Sequence, residues 1–487
     1  MRVFDLSKVR ALLFALKLTP VLFLGACQTL PNYNKSVNNS SAPVIKVVAQ
    51  QSPIELVQGT ENISPTPPQA FEAVAPSTHK LWGRIRSGFA ISQLGGNAAR
   101  LQSIHEKWYR ERPEHLERVF TRAQLYLFDI VEATEQSGLP LEIALLPAVE
   151  SAFMPTASSS AAADGLWQFI APTARRYDLK VHLFLDQRRD VRAATRAALR
   201  YLQDLRLRYG GDMQLALAAY NCGEGCIDEH IRRAKARGLQ GRFEDLDLNR
   251  ETANYVPRLL ALTKLVAEGV DNNRMSPLGL PPMQNAPYFA AVPIRRDIDV
   301  SRAADLCGLS LQEFKALNPQ HKKPVIVATA REEVLVPIDR ANAFAEALLN
   351  NHGPMSTWTT VVVNQPTLPS VLAGRHGTST KTLLEVNGIK PGHLIKTGST
   401  VLVPRDGTAG EITSAVSESA VINTTPIVVS MKVTVRRGES WKHLVARMNA
   451  QGLRVTANMI QTYNPKLRLR AGPMTIRIPS IAQATTT

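Results

Sequence analysis

Residues 138–153 read GLPLEIALLPAVESAF, and the last nine of them, LLPAVESAF, are apolar or small except for Glu150. An ionised carboxyl is costly to desolvate, so its presence there needs a reason. On a helix Glu150 falls seven residues after Ile143 and four after Leu146, on the same side as both. That spacing predicts a side chain aimed at the core or into a cleft. Desolvation disfavours the charged form, so the pKa should be raised. A carboxyl that keeps its proton near neutral pH can act as a general acid. Pro147 suits a break or kink better than a regular helix interior, which makes the face approximate. The competing explanation is a helix-surface glutamate with incidentally apolar neighbours.

The surrounding sequence is helical in pattern. HLERVFTRAQLYLFDIVEATEQSG (115–138) is amphipathic and stops on Gly138, with Pro140 opening the next helix. DVRAATRAALRYLQDLRLRYGG (190–211) repeats the pattern and the glycine stop. Strand-like alternation is nearly absent from about 101 to 269, so a mainly α domain is expected. Beyond Pro277 the texture changes to short β-branched runs, turn residues and short helices. A weak repeat appears there, anchored on ALNP around Asn318, EVNG around Asn387 and TYNP around Asn464. The pairs Val336-Pro337, Val403-Pro404 and Ile478-Pro479 follow. Each unit reads as strand, two short helices and strand, and the unequal spacing suggests separate beads on linkers.

Arg2, Lys8 and Arg10 precede the apolar stretch ALLFALKLTPVLFLGAC, which is too short and interrupted to span a membrane and reads as a secretory signal. It closes on Leu24-Gly25-Ala26-Cys27, which resembles the lipobox of bacterial lipoproteins, with Cys27 the lipidated residue. By the same resemblance Gln28 favours the outer membrane. The net charge of +16 calls for an anionic partner. An exported protein seldom meets nucleic acid, so wall polymer or membrane surface is expected and nucleic acid is not. From Gln28 to about Phe89 the chain is rich in Ser, Asn, Pro and Gln, as a flexible tether would be. Cys222 and Cys226 flank Gly223 and Gly225 in an oxidising compartment, where a disulfide is allowed though tight. No set of ligands is spaced for a metal.

Four short stretches carry the chemistry: VESAF (149–153), DGLWQF (164–169), LAAYNCGEG (217–225) and ETANYVP (251–257). In this order and spacing they resemble the lysozyme-like lytic transglycosylases, most closely the membrane-bound lytic murein transglycosylase D group, and the tail repeats resemble LysM modules. The resemblance implies a mainly α lysozyme-like catalytic domain followed by small α+β (βααβ) LysM-like repeats. The expected division is a lipoprotein signal peptide (1–26), a flexible tether (27–95), the catalytic domain (96–275), a degenerate LysM-like repeat (285–340) and two further repeats (357–405 and 430–480).

The resemblance further implies that Glu150 is the sole catalytic carboxyl. It would protonate the oxygen between N-acetylmuramic acid and N-acetylglucosamine, then accept the proton of the sugar's C6 hydroxyl as a 1,6-anhydro ring closes. Ser151, Gln168, Tyr220, Asn221, Glu251 and Tyr255 carry over as substrate-binding or site-holding residues, and no cofactor is implied. The expected partners are peptidoglycan glycan strands and, through the lipid, the periplasmic side of the outer membrane. Two alternatives stand beside this reading. Asp164 could activate water as a second carboxylate, which would make a hydrolytic muramidase. The chain could instead be a non-catalytic wall-binding lipoprotein, with Arg436, Arg437, Arg468 and Arg470 as wall or lipid contacts.

Overall fold

The computed structural model describes residues 81–268, 276–328, 332–407 and 410–479. The expected signal peptide, Cys27 and the tether up to residue 80 lie outside the described residues. Residues 159–162 fall outside the compact unit to which the remaining described residues belong.

The helical part runs α1 (Leu81–Ser87), α2 (Gly96–Arg110), α3 (Pro113–Ala123), α4 (Leu127–Gln136), a 3-10 turn (Leu141–Leu145), α5 (Leu146–Glu150), α6 (Ala171–Arg176), α7 (Val191–Arg208), α8 (Met213–Cys222), α9 (Glu224–Ala236) and α10 (Arg250–Ala267). Its boundaries follow local chemistry. Asp190 caps α7 by accepting from Ala193 N at 2.8 Å, and Asp212 caps α8 through Gln214 N and Leu215 N. α8 carries alanine and leucine on nearly every side and is correspondingly buried, so it is the central rod of the domain. α10 packs against α2, α8 and α5.

Residues 81–95 depart from the expected tether. Trp82 is fully buried and donates through Nε1 to Pro281 O at 2.8 Å, and Leu81 and Ile85 join the core. The folded body therefore begins by Leu81. Trp82 and Ile85 sit three apart, and their neighbours are too polar for that apolar pair to stand out in the sequence.

The tail holds β1 (Phe289–Pro293), β2 (Ile298–Asp299), α11 (Val300–Leu306), α12 (Leu311–Leu317), β3 (Val325–Ile326), β4 (Glu333–Pro337), α13 (Ala341–Asn350), β5 (Trp358–Val362), α14 (Pro369–Arg375), α15 (Thr380–Asn387), β6 (His393–Ile395), β7 (Thr400–Pro404), α16 (Ser414–Ser419), β8 (Thr424–Pro426), β9 (Val428–Val435), α17 (Trp441–Ala450), α18 (Ala457–Tyr463) and β10 (Gly472–Pro479). Three antiparallel pairs recur: β1 with β4, β5 with β7, and β9 with β10. Each encloses two helices.

The weak sequence repeat has a structural cause. Asn318 Nδ2 donates to Phe314 O at 3.1 Å and Leu335 O at 2.8 Å, while its Oδ1 accepts from Leu335 N at 2.7 Å. Asn387 makes the same three bonds to Leu383 and Leu402, and Asn464 to Ile460 and Arg477. In each case the side-chain amide acts as a short piece of strand. It clamps the residue two before the closing proline, and the register of the last strand is thereby fixed.

The expectation of separate beads fails for the first two modules. The first shares one continuous core with the helical body, in which Phe289, Phe314 and Phe344 belong with Trp167 and Phe120. Leu402 of the second packs with Phe184 and Val325. The third has its own core around Leu444, Ile460 and Ile476. The second and third are joined by residues that form α16 and β8, with β8 paired to β6.

Candidate functional site

Glu150 is the last residue of α5, a five-residue helix that follows a 3-10 turn instead of lying within one long helix. Pro147 opens α5 near its N-terminus, where its missing N–H costs nothing, which answers the kink read from the sequence. The apolar surroundings of Glu150 are as expected, but a tight change of path beyond it presents the carboxyl. Ala152 and Phe153 both adopt left-handed backbone, with φ of 50° and 54°. Two successive non-glycine residues in that region store strain that neighbours must offset. The anchors are visible. Phe153 is fully buried against Phe120, Ser151 N and Phe153 N both donate to Pro147 O at 3.1 Å, and Arg122 Nη1 donates to Ala152 O at 2.9 Å.

The second wall is the stretch 164–169. Asp164 and Phe169 exchange backbone hydrogen bonds at 3.1 and 3.2 Å. Gly165 sits at φ 83°, where a Cβ would lie 1.7 Å from Arg188 O, so nothing larger fits. Ser151 Oγ donates to Leu166 O at 2.9 Å, which ties this stretch to Glu150's own turn. Gln168, itself at φ 49°, donates through Nε2 to Gly165 O at 2.8 Å and Ala157 O at 3.2 Å. Tyr220 OH donates to Trp167 O at 2.8 Å, and its ring lies between Phe169 and Tyr201.

The third wall is α10. Tyr255 is buried and its hydroxyl donates to Glu150 Oε1. Thr252 Oγ1 donates to Asn221 Oδ1 at 2.8 Å, which fixes the end of α8 against the start of α10. Glu251 is exposed on the same helix, where its charge helps raise the pKa of Glu150. A disulfide joins Cys222 to Cys226 across Gly223, whose φ is 91°, and so staples the turn right after Asn221.

Glu150 is half-buried, and burial pushes its carboxyl up to about 7, outweighing the Tyr255 hydrogen bond and the Arg258 charge that pull it down. Tyr255 and Tyr220 are both pushed well above their ordinary value by burial and by the negative charge of Glu150, so each remains a donor. The site therefore holds a carboxyl poised to give or take a proton near neutrality.

Of the residues singled out in the sequence, Glu150 and Tyr255 touch directly, and Tyr220, Asn221, Gln168 and Ser151 are drawn around them. Ser151 bonds to backbone carbonyls of Pro147 and Leu166 and not to Glu150, so its hydroxyl holds the frame. Asp164 is held on both oxygens, by Arg188 and by Arg189, each at 2.8 Å, and Arg188 also pairs with Asp186 at 2.8 Å. A carboxylate so engaged is a brace for the second wall. Three contributors escaped the sequence reading: Arg122, Thr252 and Arg258. Arg258 lies seven residues after Glu251 and three after Tyr255, a helical spacing that marks the same face. Arg122 carries no local signal, since its contact is to a carbonyl thirty residues away.

Three family models match the chain: a transglycosylase SLT domain over residues 130–241, the lytic transglycosylase MltD LysM-like domain over 288–351, and a LysM domain over 370–404. The membrane-bound lytic murein transglycosylase D of Escherichia coli K12 is 34% identical over 316 residues, covering 62% of this chain and 68% of that protein, and the same protein of E. coli O6:H1 matches equally. Among solved structures, an inactive mutant of the lytic transglycosylase Slt from Pseudomonas aeruginosa aligns at 24% identity and TM-score 0.24, over 28% of this chain and 23% of that one.

Proposed function

The chain belongs to the membrane-bound lytic murein transglycosylase D family, and from that premise we propose that it cleaves the β-1,4 bond between N-acetylmuramic acid and N-acetylglucosamine without water. Glu150 donates its proton to the glycosidic oxygen, and the N-acetylglucosamine leaves with that proton. The 2-acetamido group of muramic acid assists at the anomeric carbon. The resulting Glu150 carboxylate then takes the proton of the C6 hydroxyl as that oxygen bonds to the anomeric carbon. A 1,6-anhydro end forms and Glu150 is protonated again.

The observation that carries this reading is a carboxyl at about 7, hydrogen-bonded by a tyrosine, in a site whose second-wall carboxylate, Asp164, has both oxygens committed to arginines. Hydrolytic glycosidases use a second carboxylate to attack or to activate water. An intramolecular hydroxyl held in place substitutes for that water, and its enforced proximity supplies much of the rate advantage. Gln168, Tyr220 and Asn221 line and orient the sugar, Ser151 and Glu251 hold the site, and Tyr255 keeps Glu150 in position. The LysM-like modules bind N-acetylglucosamine polymer. A lipid on Cys27 and the tether that follows hold the enzyme at the outer membrane facing the wall.

Mass spectrometry of muropeptides released from purified peptidoglycan tests the chemistry. Products one water lighter than hydrolytic ones are expected. Reducing-end products would point to Asp164 and a hydrolytic muramidase, and binding without release would leave a wall-binding lipoprotein.

A further inference from the structure

Away from Glu150 the body contains a cavity of about 710 Å³, within the range of about 300–1,000 Å³ used by small-molecule sites. One wall is the loop after α6 with the exposed face of α7, the second is the first LysM-like module, and the third is α16. The walls are held by backbone: Asp186 N donates to Gln320 O at 2.9 Å and Lys322 N to Phe184 O at 2.8 Å. Nothing in the transglycosylase reaction uses this space.

Its polar lining is incompletely satisfied. The His321 side chain is 4% exposed, yet its Nε2 has no hydrogen-bond partner among the described residues, with Glu332 Oε1 lying 3.7 Å away. Burial pushes His321 down to about 3, so the ring is neutral and forms no ion pair with Glu332. His182 Nδ1 is likewise buried with no hydrogen-bond partner among the described residues. Unpaired buried polar atoms are uncommon and costly, and two of them belong to residues that line this one cavity. The cations at the rim are unevenly spent. Lys180 pairs with Glu418 and Arg200 with Asp178, whereas Arg196, exposed on α7, has no ion-pair partner among the described residues. A guanidinium that makes no ion pair among the described residues, on the same cavity as two neutral imidazoles, suits a carboxylate with a neighbouring amide, which is the chemistry of a short peptide. A neutral sugar would leave the cation unused.

We propose that this cavity binds the peptide stem of peptidoglycan, with Arg196 gripping a stem carboxylate and His182 and His321 completing their hydrogen bonds on the peptide. The site rests on the geometry; the choice of a wall peptide over other carboxylates rests on the proposed wall function. Arg188 joins the cavity to the catalytic frame, since it pairs both with Asp186, beside the docked backbone, and with Asp164 in the second wall.

The test is calorimetric titration of the full-length protein with the free tripeptide L-alanyl-γ-D-glutamyl-meso-diaminopimelate. Saturable binding is expected, weakened about tenfold or more in Arg196→Ala and partly kept in Arg196→Lys. Arg196 is on the surface, so Arg196→Ala should fold and digest peptide-free glycan strands at the unaltered rate. No saturable binding, equal binding by Arg196→Ala, or full displacement of the tripeptide by acetate at equal concentration would each overturn the proposal. Reducing ends in the glycan digest would overturn the transglycosylase reading alone, because the titration does not depend on cleavage.

Discussion

Replacing Glu150 with glutamine should make the protein more stable as well as inactive. The carboxyl is pushed from its ordinary 4.5 to about 7 in the fold. Between those two pH values the folded state binds more protons at this site than the unfolded state, so stability falls as pH rises through the window. Below about pH 4.5 both states are protonated and no penalty exists; above about pH 7 the full penalty applies. A shift of about 2.5 units corresponds to about 3 kcal/mol at 1.36 kcal/mol per unit. Solvent along the half-buried side chain reduces this to about 2 kcal/mol. Glutamine keeps an acceptor for Tyr255 and has no charge to desolvate. Glu150→Gln should therefore melt about 4–8 °C above the parent at pH 8 and together with it at pH 4. Differential scanning calorimetry across that range is the assay. Equal or lower melting of the variant at pH 8 would refute the burial argument, and with it the reason for Glu150 to hold a proton at neutrality. Peptidoglycan release by the same variant would refute its role in cleavage.

Three further outcomes follow from the same geometry. Cleavage needs Glu150 protonated, so kcat/KM should fall above about pH 7; Tyr255→Phe removes the hydrogen bond that lowers this pKa and should move the falling limb upward while slowing the reaction, and an unmoved limb would detach Tyr255 from Glu150. Asp164→Asn should destabilise the protein by about 3–5 kcal/mol through Arg188 and Arg189, while the products keep their anhydro ends; reducing ends made by the parent and lost in the variant, or an inactive but fully stable variant, would restore Asp164 as a reacting group. Asn387→Ala leaves Leu402 N and O unpaired in the second module and should cost about 2–4 kcal/mol, seen as loss of amide-exchange protection across residues 357–405 with the third module unaffected; retained protection would show that the amide clamp does not set the strand register.

Much of the site was legible because its signals are local. Glu150 in an apolar run, the glycine of DGLWQF and the helical spacing of Glu251 and Tyr255 are each short-range patterns, and their physical meaning survives in the fold. The repeat was legible for the same reason: an asparagine at a helix end and a closing proline are set by bonds within one module. The regular helix assumed around Glu150 was not found, because Pro147 sits where α5 starts and not within it.

The chain's sequence by itself determined the α-then-βααβ order, the carboxyl that is hard to desolvate and the group of residues around it, since periodicity, caps and composition act over a few residues. The tertiary structure alone decided that Asp164 is consumed by two arginines, that Arg122 restrains the strained turn from thirty residues away, that Cys222 and Cys226 are joined, and that the first module shares the helical core. Those outcomes depend on which distant groups meet, and pairing energies between residues far apart in the chain leave no period or spacing to read.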